Sequence, residues 1–118
     1  MTAVRSFVRD SEPTTIEHLL DHYDYVAKLV GVEHLGMGSD TDIRGGYDAQ
    51  SKDDWERTGG RYREQYRFRH KIDMDEMTGP KRLYLLTEGL IRRGYTDADI
   101  KLVLGENFKR VLKEIWTV

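Results

Sequence analysis

Asp40 is the residue of this chain whose setting best suits catalysis, because it follows a run predicted to be a short buried strand, residues 33–38. Gly36 and Gly38 lack side chains, so a ligand can approach the backbone closely there. Enzymes of alternating strands and helices keep their chemistry just past the carboxyl ends of strands. Asp40 is therefore a candidate general base or metal-associated carboxylate. A turn aspartate that caps its own backbone is the alternative, and the pattern leaves both open.

His18 and His22 lie four residues apart, which places two imidazoles on one face of a helix. Such a pair can bind zinc, and with Asp21 between them it has an inverted zinc-protease spacing. A third ligand would have to come from elsewhere, and only His34 and His70 remain among the histidines. We therefore interpret both as partly exposed helix residues and assign no metal ligand.

Residues 57–71 interleave basic side chains with aromatic ones, a pattern that can bind phosphates and stack on bases. The alternative is a solvated loop whose arginines pair with the acidic residues around it. The chain has 19 Lys and Arg against 21 Asp and Glu, a net charge of −2, so its overall field does not attract nucleic acid. We favour the solvated loop and expect no nucleic-acid partner.

Length and composition narrow the class of protein. With 118 residues the chain is one domain, shorter than the ~250 residues of a complete (β/α)8 barrel. The absence of cysteine excludes disulfides and thiolate metal sites and suits a reducing compartment, so we expect a cytoplasmic location. No apolar run approaches the ~18 residues of a membrane span, and no signal peptide is visible.

Two strands and one helix are predicted to position Asp40. Residues 1–8 alternate loosely between apolar and polar and predict a strand. Thr14 and Glu17 have the spacing of a capping box, and helical periodicity continues over residues 15–30 up to Gly31. With the strand at 33–38, this makes a βαβ unit over residues 1–44.

The rest of the chain is predicted to be a polar excursion over residues 45–79 and C-terminal helices over residues 80–118. Pro80 suits a first helical position, and Thr96 with the carboxylates after it suits a helix start. The last helix carries apolar residues at i, i+3, i+4 and i+7: Phe108, Val111, Leu112 and Ile115.

Three runs, residues 21–40, 86–100 and 104–112, resemble the C-terminal region of the membrane dipeptidase (renal dipeptidase) family of metallopeptidases. They occur in the family's order and span most of the chain. The resemblance implies a (β/α)8 barrel of the amidohydrolase type that holds two zinc ions and hydrolyses dipeptides. It also implies a catalytic role for Asp40, which matches the family's aspartate at the end of the eighth strand, where it acts on the metal-bound water.

The same resemblance implies that much of the site is missing. The family's zinc ligands, a His-x-Asp pair, a bridging glutamate and two later histidines, all precede the region that this chain covers. Residues 1–8 would correspond to the seventh strand, and Tyr25 stands where many members carry a further histidine. The expected fold is thus α/β, a partial (β/α)8 barrel made of the last βαβ unit and the C-terminal helices.

The expected function is that of a C-terminal segment of a zinc-dependent dipeptidase, with Asp40 as its catalytic residue. We expect no zinc to be bound by this chain alone, and whether the chain is itself an enzyme stays open. Two strands without neighbours would leave unpaired edges, so we expect self-association or a companion chain. A non-catalytic oligomerising or binding remnant is the alternative, followed by a nucleic-acid-binding module that uses residues 57–71.

Overall fold

The computed structural model describes residues 1–40 and 73–116, and these form a helical assembly. Five α-helices, two short 3-10 turns and one irregular turn follow one another along the chain. In order they are α1 (Arg5–Val8), α2 (Ile16–Val30), the 3-10 turns Val32–His34 and Asp75–Met77, α3 (Arg82–Arg92), α4 (Asp97–Lys101), the irregular turn Leu102–Glu106 and α5 (Asn107–Ile115). No helix among these residues is long and apolar enough to cross a membrane.

No strand is formed within residues 1–40 and 73–116, so the predicted βαβ unit and the partial (β/α)8 barrel are wrong. The predicted first strand contains helix α1 instead. Val4 and Val8 are both buried, and they lie one helical turn apart, whereas Phe7 is half exposed. Because Val4 and Val8 fit a period of four as well as a period of two, burial against the helices can satisfy them without a sheet.

The predicted second strand is a 3-10 turn followed by extended backbone. Three hydrogen bonds join this extended part to the start of the chain. The Met1 ammonium donates to the Gly36 carbonyl (2.8 Å), Gly38 N–H donates to the Met1 carbonyl (3.0 Å), and Ala3 N–H donates to the Ser39 carbonyl (2.9 Å). The two segments run in the same direction, but so few bonds do not make a sheet.

Ala3 and Val4 also contact the chain where it re-enters the described part at Asp73. Val4 forms an isolated antiparallel bridge with Asp73, and Met74 N–H donates to the Ala3 carbonyl (3.3 Å). Residues 1–4 therefore contact both the segment that ends at Asp40 and the segment that begins at Asp73.

Helix α2 confirms the helix predicted over residues 15–30. Thr15 is its N-cap, and it ends at Gly31, which has a φ of +97° that favours glycine. Leu20 and Tyr23 are fully buried on its inner face. The predicted capping partner, Glu17, is wrong: the imidazole of His18 lies against Thr15, with Nδ1 3.0 Å from the threonine Oγ1.

The predicted helices near the C-terminus are present, with one boundary moved. Helix α3 begins at Arg82, two residues later than the start predicted at Pro80. Thr96 caps α4 as predicted, because its Oγ1 accepts from Asp99 N–H (3.2 Å) and the Asp99 carboxylate accepts from Thr96 N–H (3.0 Å). The predicted organisation, one domain over residues 1–118 with a long polar segment at residues 45–79, stays a prediction. Residues 41–72 lie outside the described part.

The core lies where α2 packs on α3. The side chain of Leu20 touches the backbone of Gly89 so closely that a Cβ on that glycine would stand 2.6 Å from a leucine methyl carbon. The core consists of apolar residues that precede α5: Ala3, Val8, Leu19, Leu20, Tyr23, Leu35, Met74, Met77, Leu86, Leu90, Ile100 and Val103. No core residue comes from α5.

Candidate functional site

Asp40 lies at the end of the extended segment, with an exposed side chain. Its φ is +57°, which makes it the only non-glycine residue with left-handed backbone in the described part of the chain. Aspartate tolerates this conformation better than most residues, and such conformations cluster at functional sites. The backbone just before it is held, because Ser39 is buried and its carbonyl accepts from Ala3 N–H.

The predicted position of Asp40 after a strand is wrong, whereas its predicted catalytic role is not tested. Asp40 does not follow a strand, since no strand is assigned within the described residues and the segment before Asp40 is joined to residues 1–3 by three hydrogen bonds. Its carboxylate makes no hydrogen bond or ion pair with the residues that the structure describes. The carboxylate is therefore accessible to a substrate or a second polypeptide, and its catalytic role remains a prediction.

Arg5 is a buried cation that forms a charge cluster with two partly exposed carboxylates. Only 6% of the residue is exposed. Its Nε donates to the Asp73 carbonyl (2.6 Å), and its two Nη atoms contact the Glu12 carboxylate (3.0 Å) and the Asp75 carboxylate (3.3 Å). A buried cation is tolerated only when it is paired and hydrogen-bonded in this way. Arg5 thus fixes the returning chain against α1.

Asn107 clamps the other end of the extended segment. Its Nδ2 donates to the carbonyls of Val32 and Leu35, each at 2.8 Å, and the residue is 5% exposed. The first residue of α5 thereby fixes the turn that leads to Asp40. Sequence analysis missed both Arg5 and Asn107, because neither residue stands out from its sequence neighbours.

Both helix histidines are engaged with the protein. His22 Nε2–H donates to the Val8 carbonyl (2.8 Å). Arg9 Nη1 lies 2.9 Å from Nε2 of His18, and Nδ1 of His18 accepts from Thr15 N–H (3.2 Å). His18 is thus engaged through both ring nitrogens and His22 through Nε2.

No cluster of three or more possible metal ligands occurs within residues 1–40 and 73–116. His34 is exposed beside Glu33, with 3.9 Å between imidazole and carboxylate. His70 and the basic and aromatic residues of 57–71 lie outside the described residues, so the interpretation of that segment stays a prediction.

Arg93 forms an exposed charge cluster between α2 and α3. It contacts the carboxylates of Glu17 (2.8 Å), Asp21 (2.8 Å) and Asp24 (2.7 Å), and Arg92 also binds Glu17. Hydrogen bonds from Arg93 and Arg92 lower the pKa of Glu17, and the three carboxylates raise the pKa of Arg93. Each of these carboxylates contacts an arginine, so the cluster joins α2 to the end of α3.

A shallow cleft of about 400 Å³ opens beside this cluster, over Asp24 and Tyr95. The Tyr95 hydroxyl donates to the Asp24 carboxylate (3.0 Å). Burial and that hydrogen bond raise the pKa of Tyr95 to about 12. The phenol therefore stays protonated at neutral pH and acts as a structural donor.

Comparison with known proteins finds a family that part of the chain matches. Residues 1–54, which include Asp40, match the family model of the membrane dipeptidases. The match confirms the resemblance of residues 1–54 to the membrane dipeptidases, a family of metallopeptidases.

A particular relative is dipeptidase verJ of Clonostachys rogersoniana, to which the chain is 28% identical over 117 residues. That alignment covers 93% of this chain and 22% of the relative, so the chain spans about a fifth of the length of that curated protein. No solved structure matches the chain.

Proposed function

We propose that this chain is a segment of a zinc-dependent dipeptidase and that it contributes Asp40 to the hydrolysis of dipeptides by the assembled enzyme. The observation that carries the proposal is the family match over residues 1–54, within which Asp40 lies. The left-handed backbone and exposed carboxylate of Asp40 support it, because both suit a residue that must reach a substrate.

The described residues do not fit a zinc site of their own. They contain no cluster of three possible ligands, and His18 and His22 are hydrogen-bonded within the chain. Zinc in the assembled enzyme would activate the attacking water, and its ligands would have to come from polypeptide outside these residues.

Asp40 would act as the general base. Its carboxylate can accept a proton from the attacking water and then pass it to the departing amine. The hydrogen bond from Ala3 to the Ser39 carbonyl holds the backbone that carries it, and the buried Arg5 cluster holds the next segment alongside. One carboxylate without metal ligands does not catalyse dipeptide hydrolysis, so we expect no turnover by the 118-residue chain alone.

The test is a hybrid in which this chain replaces the matching part of dipeptidase verJ. We expect a folded hybrid to hydrolyse dipeptides, and Asp40→Asn to lower kcat/KM by at least about 100-fold, as expected for loss of a general base. Asp97→Asn is the matched control, because Asp97 lies on α4, and it should leave kcat/KM unchanged.

Circular dichroism and a cooperative melt would establish that the hybrid is folded. A folded hybrid without activity would refute the proposal, as would a hybrid whose activity is unaffected by Asp40→Asn. Metal-dependent turnover by the 118-residue chain alone would refute the expectation that it is inactive.

We also propose that the chain associates with a companion polypeptide or with a second copy of itself. Two observations support this: the chain spans 22% of its relative, and large apolar side chains are exposed on α2, α3 and α5. The same apolar surfaces favour the second candidate function, a non-catalytic oligomerising or binding remnant. A cytoplasmic location stays a prediction.

A further inference from the structure

The segment that leads to Asp40 cannot hold its own shape, because Gly36 and Gly38 lie within it. Glycine has the widest choice of backbone conformation of any residue, so a segment with two glycines needs contacts from outside to stay in one place. Residues 1–3 supply three hydrogen bonds to residues 36–39. The position of Asp40 also depends on what holds the segment at its other end.

Asn107, the first residue of α5, holds that other end. Its Nδ2 donates to the Val32 and Leu35 carbonyls, each at 2.8 Å. A carbonyl oxygen only accepts hydrogen bonds, so the two carbonyls together fix which way the amide points. Because they lie three residues apart, at the start and the exit of one tight turn, a single side chain holds both the turn and the segment that leaves it.

Two further residues of α5 contact the same stretch of backbone. Arg110 Nη2 donates to the Glu33 carbonyl (3.0 Å). The Phe108 ring lies so close to Gly36 that a Cβ on this glycine would clash with it. We call the three side chains Asn107, Phe108 and Arg110 the α5 grip. The grip and the contacts from residues 1–3 together hold the segment up to the residue before Asp40.

The Asn107 amide is a costly way to stabilise a fold. The residue is 5% exposed, and its Oδ1 has no hydrogen-bond partner within residues 1–40 and 73–116. A buried acceptor without a partner loses its hydration and gains nothing in return, which offsets part of what the two Nδ2 bonds contribute. An apolar side chain would avoid that cost but could not hold the carbonyls. The amide is thus best explained by the position that it gives to the segment.

We propose that Asn107 is a positioning residue for Asp40. Through the Val32 and Leu35 carbonyls it sets the place of the segment from which the Asp40 carboxylate reaches the attacking water. Misplacement of a reacting group by about 1 Å can cost about 100-fold in rate, so a loose segment slows the reaction without weakening substrate binding. The inference rests on the proposed function, because it requires Asp40 to act in dipeptide hydrolysis.

The hybrid with dipeptidase verJ tests the role of Asn107. We expect Asn107→Ala to lower kcat by about 10-fold or more and to leave KM unchanged. In a hybrid that already carries Asp40→Asn, the same substitution should lower kcat by less than about twofold, because no carboxylate remains to be positioned. Gly89→Ala is the matched control: it disturbs the buried contact with Leu20 but should leave kcat unchanged in both backgrounds.

The outcomes separate this inference from the function on which it rests. Full activity of the Asp40→Asn hybrid overturns both. Loss of activity with Asp40→Asn but not with Asn107→Ala overturns the positioning role alone. An equal loss from Asn107→Ala in both backgrounds, or an equal loss from Gly89→Ala, does the same, because Asn107 would then support only the fold. Should circular dichroism show that the alanine variant does not fold, Asn107→Ser retains one hydroxyl donor and takes its place in the same comparison.

Hydrogen exchange of the 118-residue chain measures the same coupling without any activity. We expect Asn107→Ala to speed exchange of the Gly38 amide, which donates to the Met1 carbonyl, by about 10-fold or more. Exchange of the Leu20 amide inside α2 should stay the same. Unchanged exchange at Gly38, or an equal rise at Leu20, overturns the proposal.

Discussion

Two joints hold the described part of this protein together, and they are built differently. The terminal joint, formed by residues 1–5, 36–39 and 73–75, relies on backbone hydrogen bonds and one buried guanidinium. The helix joint, where α2 meets α3, relies on Leu20 packed against Gly89, with the Arg93 cluster at its rim. The terminal joint holds the candidate catalytic residue, whereas the helix joint holds the core.

The two joints should differ in how strongly their stability depends on a charged residue, Arg5 in one and Arg93 in the other. The Arg5 side chain is 7% exposed and the Arg93 side chain 25% exposed, while the carboxylates that both contact lie partly in solvent. Removing the buried guanidinium leaves the buried Asp73 carbonyl without its donor, whereas solvent replaces the contacts of the more exposed arginine. The terminal joint should thus depend on its single cation far more than the helix joint depends on Arg93.

The largest expected effect is that of Arg5→Ala. We expect it to lower the free energy of unfolding by about 3 kcal/mol, because it leaves the buried Asp73 carbonyl without its donor and separates the returning chain from α1. Urea denaturation followed by circular dichroism measures the change. The comparison of the two joints would be wrong if Arg93→Ala proved equally costly.

A smaller effect is expected from Gly89→Ala at the helix joint. The new methyl group would press on the fully buried Leu20, and we expect a loss of about 1–2 kcal/mol even though alanine favours a helix. Gly38→Ala is the matched control, because nothing lies within 4 Å of the position that its Cβ would take. Equal melting temperatures for the two variants would show that α2 and α3 pack more loosely than described.

The smallest effect is expected from Arg93→Ala, a loss of about 1 kcal/mol or less that shrinks as salt is added. The lowered pKa of Glu17 also predicts a pH dependence. Its contribution is present above its ordinary value of 4.5 and is lost as the pH falls through the lowered pKa of the folded state. Acid titration of stability should show this loss in the wild-type chain and a weaker one in Arg93→Ala. An unchanged acid profile would mean that the cluster adds no stability.

The helices that meet at the helix joint could be predicted from sequence, whereas the contacts of the terminal joint could not. The start of α2 at Thr15, its end at Gly31 and the capping of α4 by Thr96 all follow from local chemistry. The hydrogen bonds between residues 1–3 and 36–39 join segments that are far apart in sequence, so no local pattern shows them. The periodicity around Val4 and Val8 fits strand and helix alike, and only packing decides between them.

The geometry around Asp40 could not be predicted from sequence. The sequence and its family resemblance single out Asp40, whereas its left-handed backbone and its support from Ala3 emerge only in three dimensions. Arg5 and Asn107 went unnoticed, because burial turns an ordinary polar residue into a structural anchor and burial is not visible in a single sequence.

Ala3 has one further consequence, since its N–H donates to the Ser39 carbonyl and its own carbonyl accepts from Met74 N–H. The two ends of the polypeptide that connects Asp40 to Asp73 therefore lie close together. Halving such a connection changes its closure free energy by only about 0.6 kcal/mol. As far as chain closure is concerned, the length of this connection thus costs the fold little.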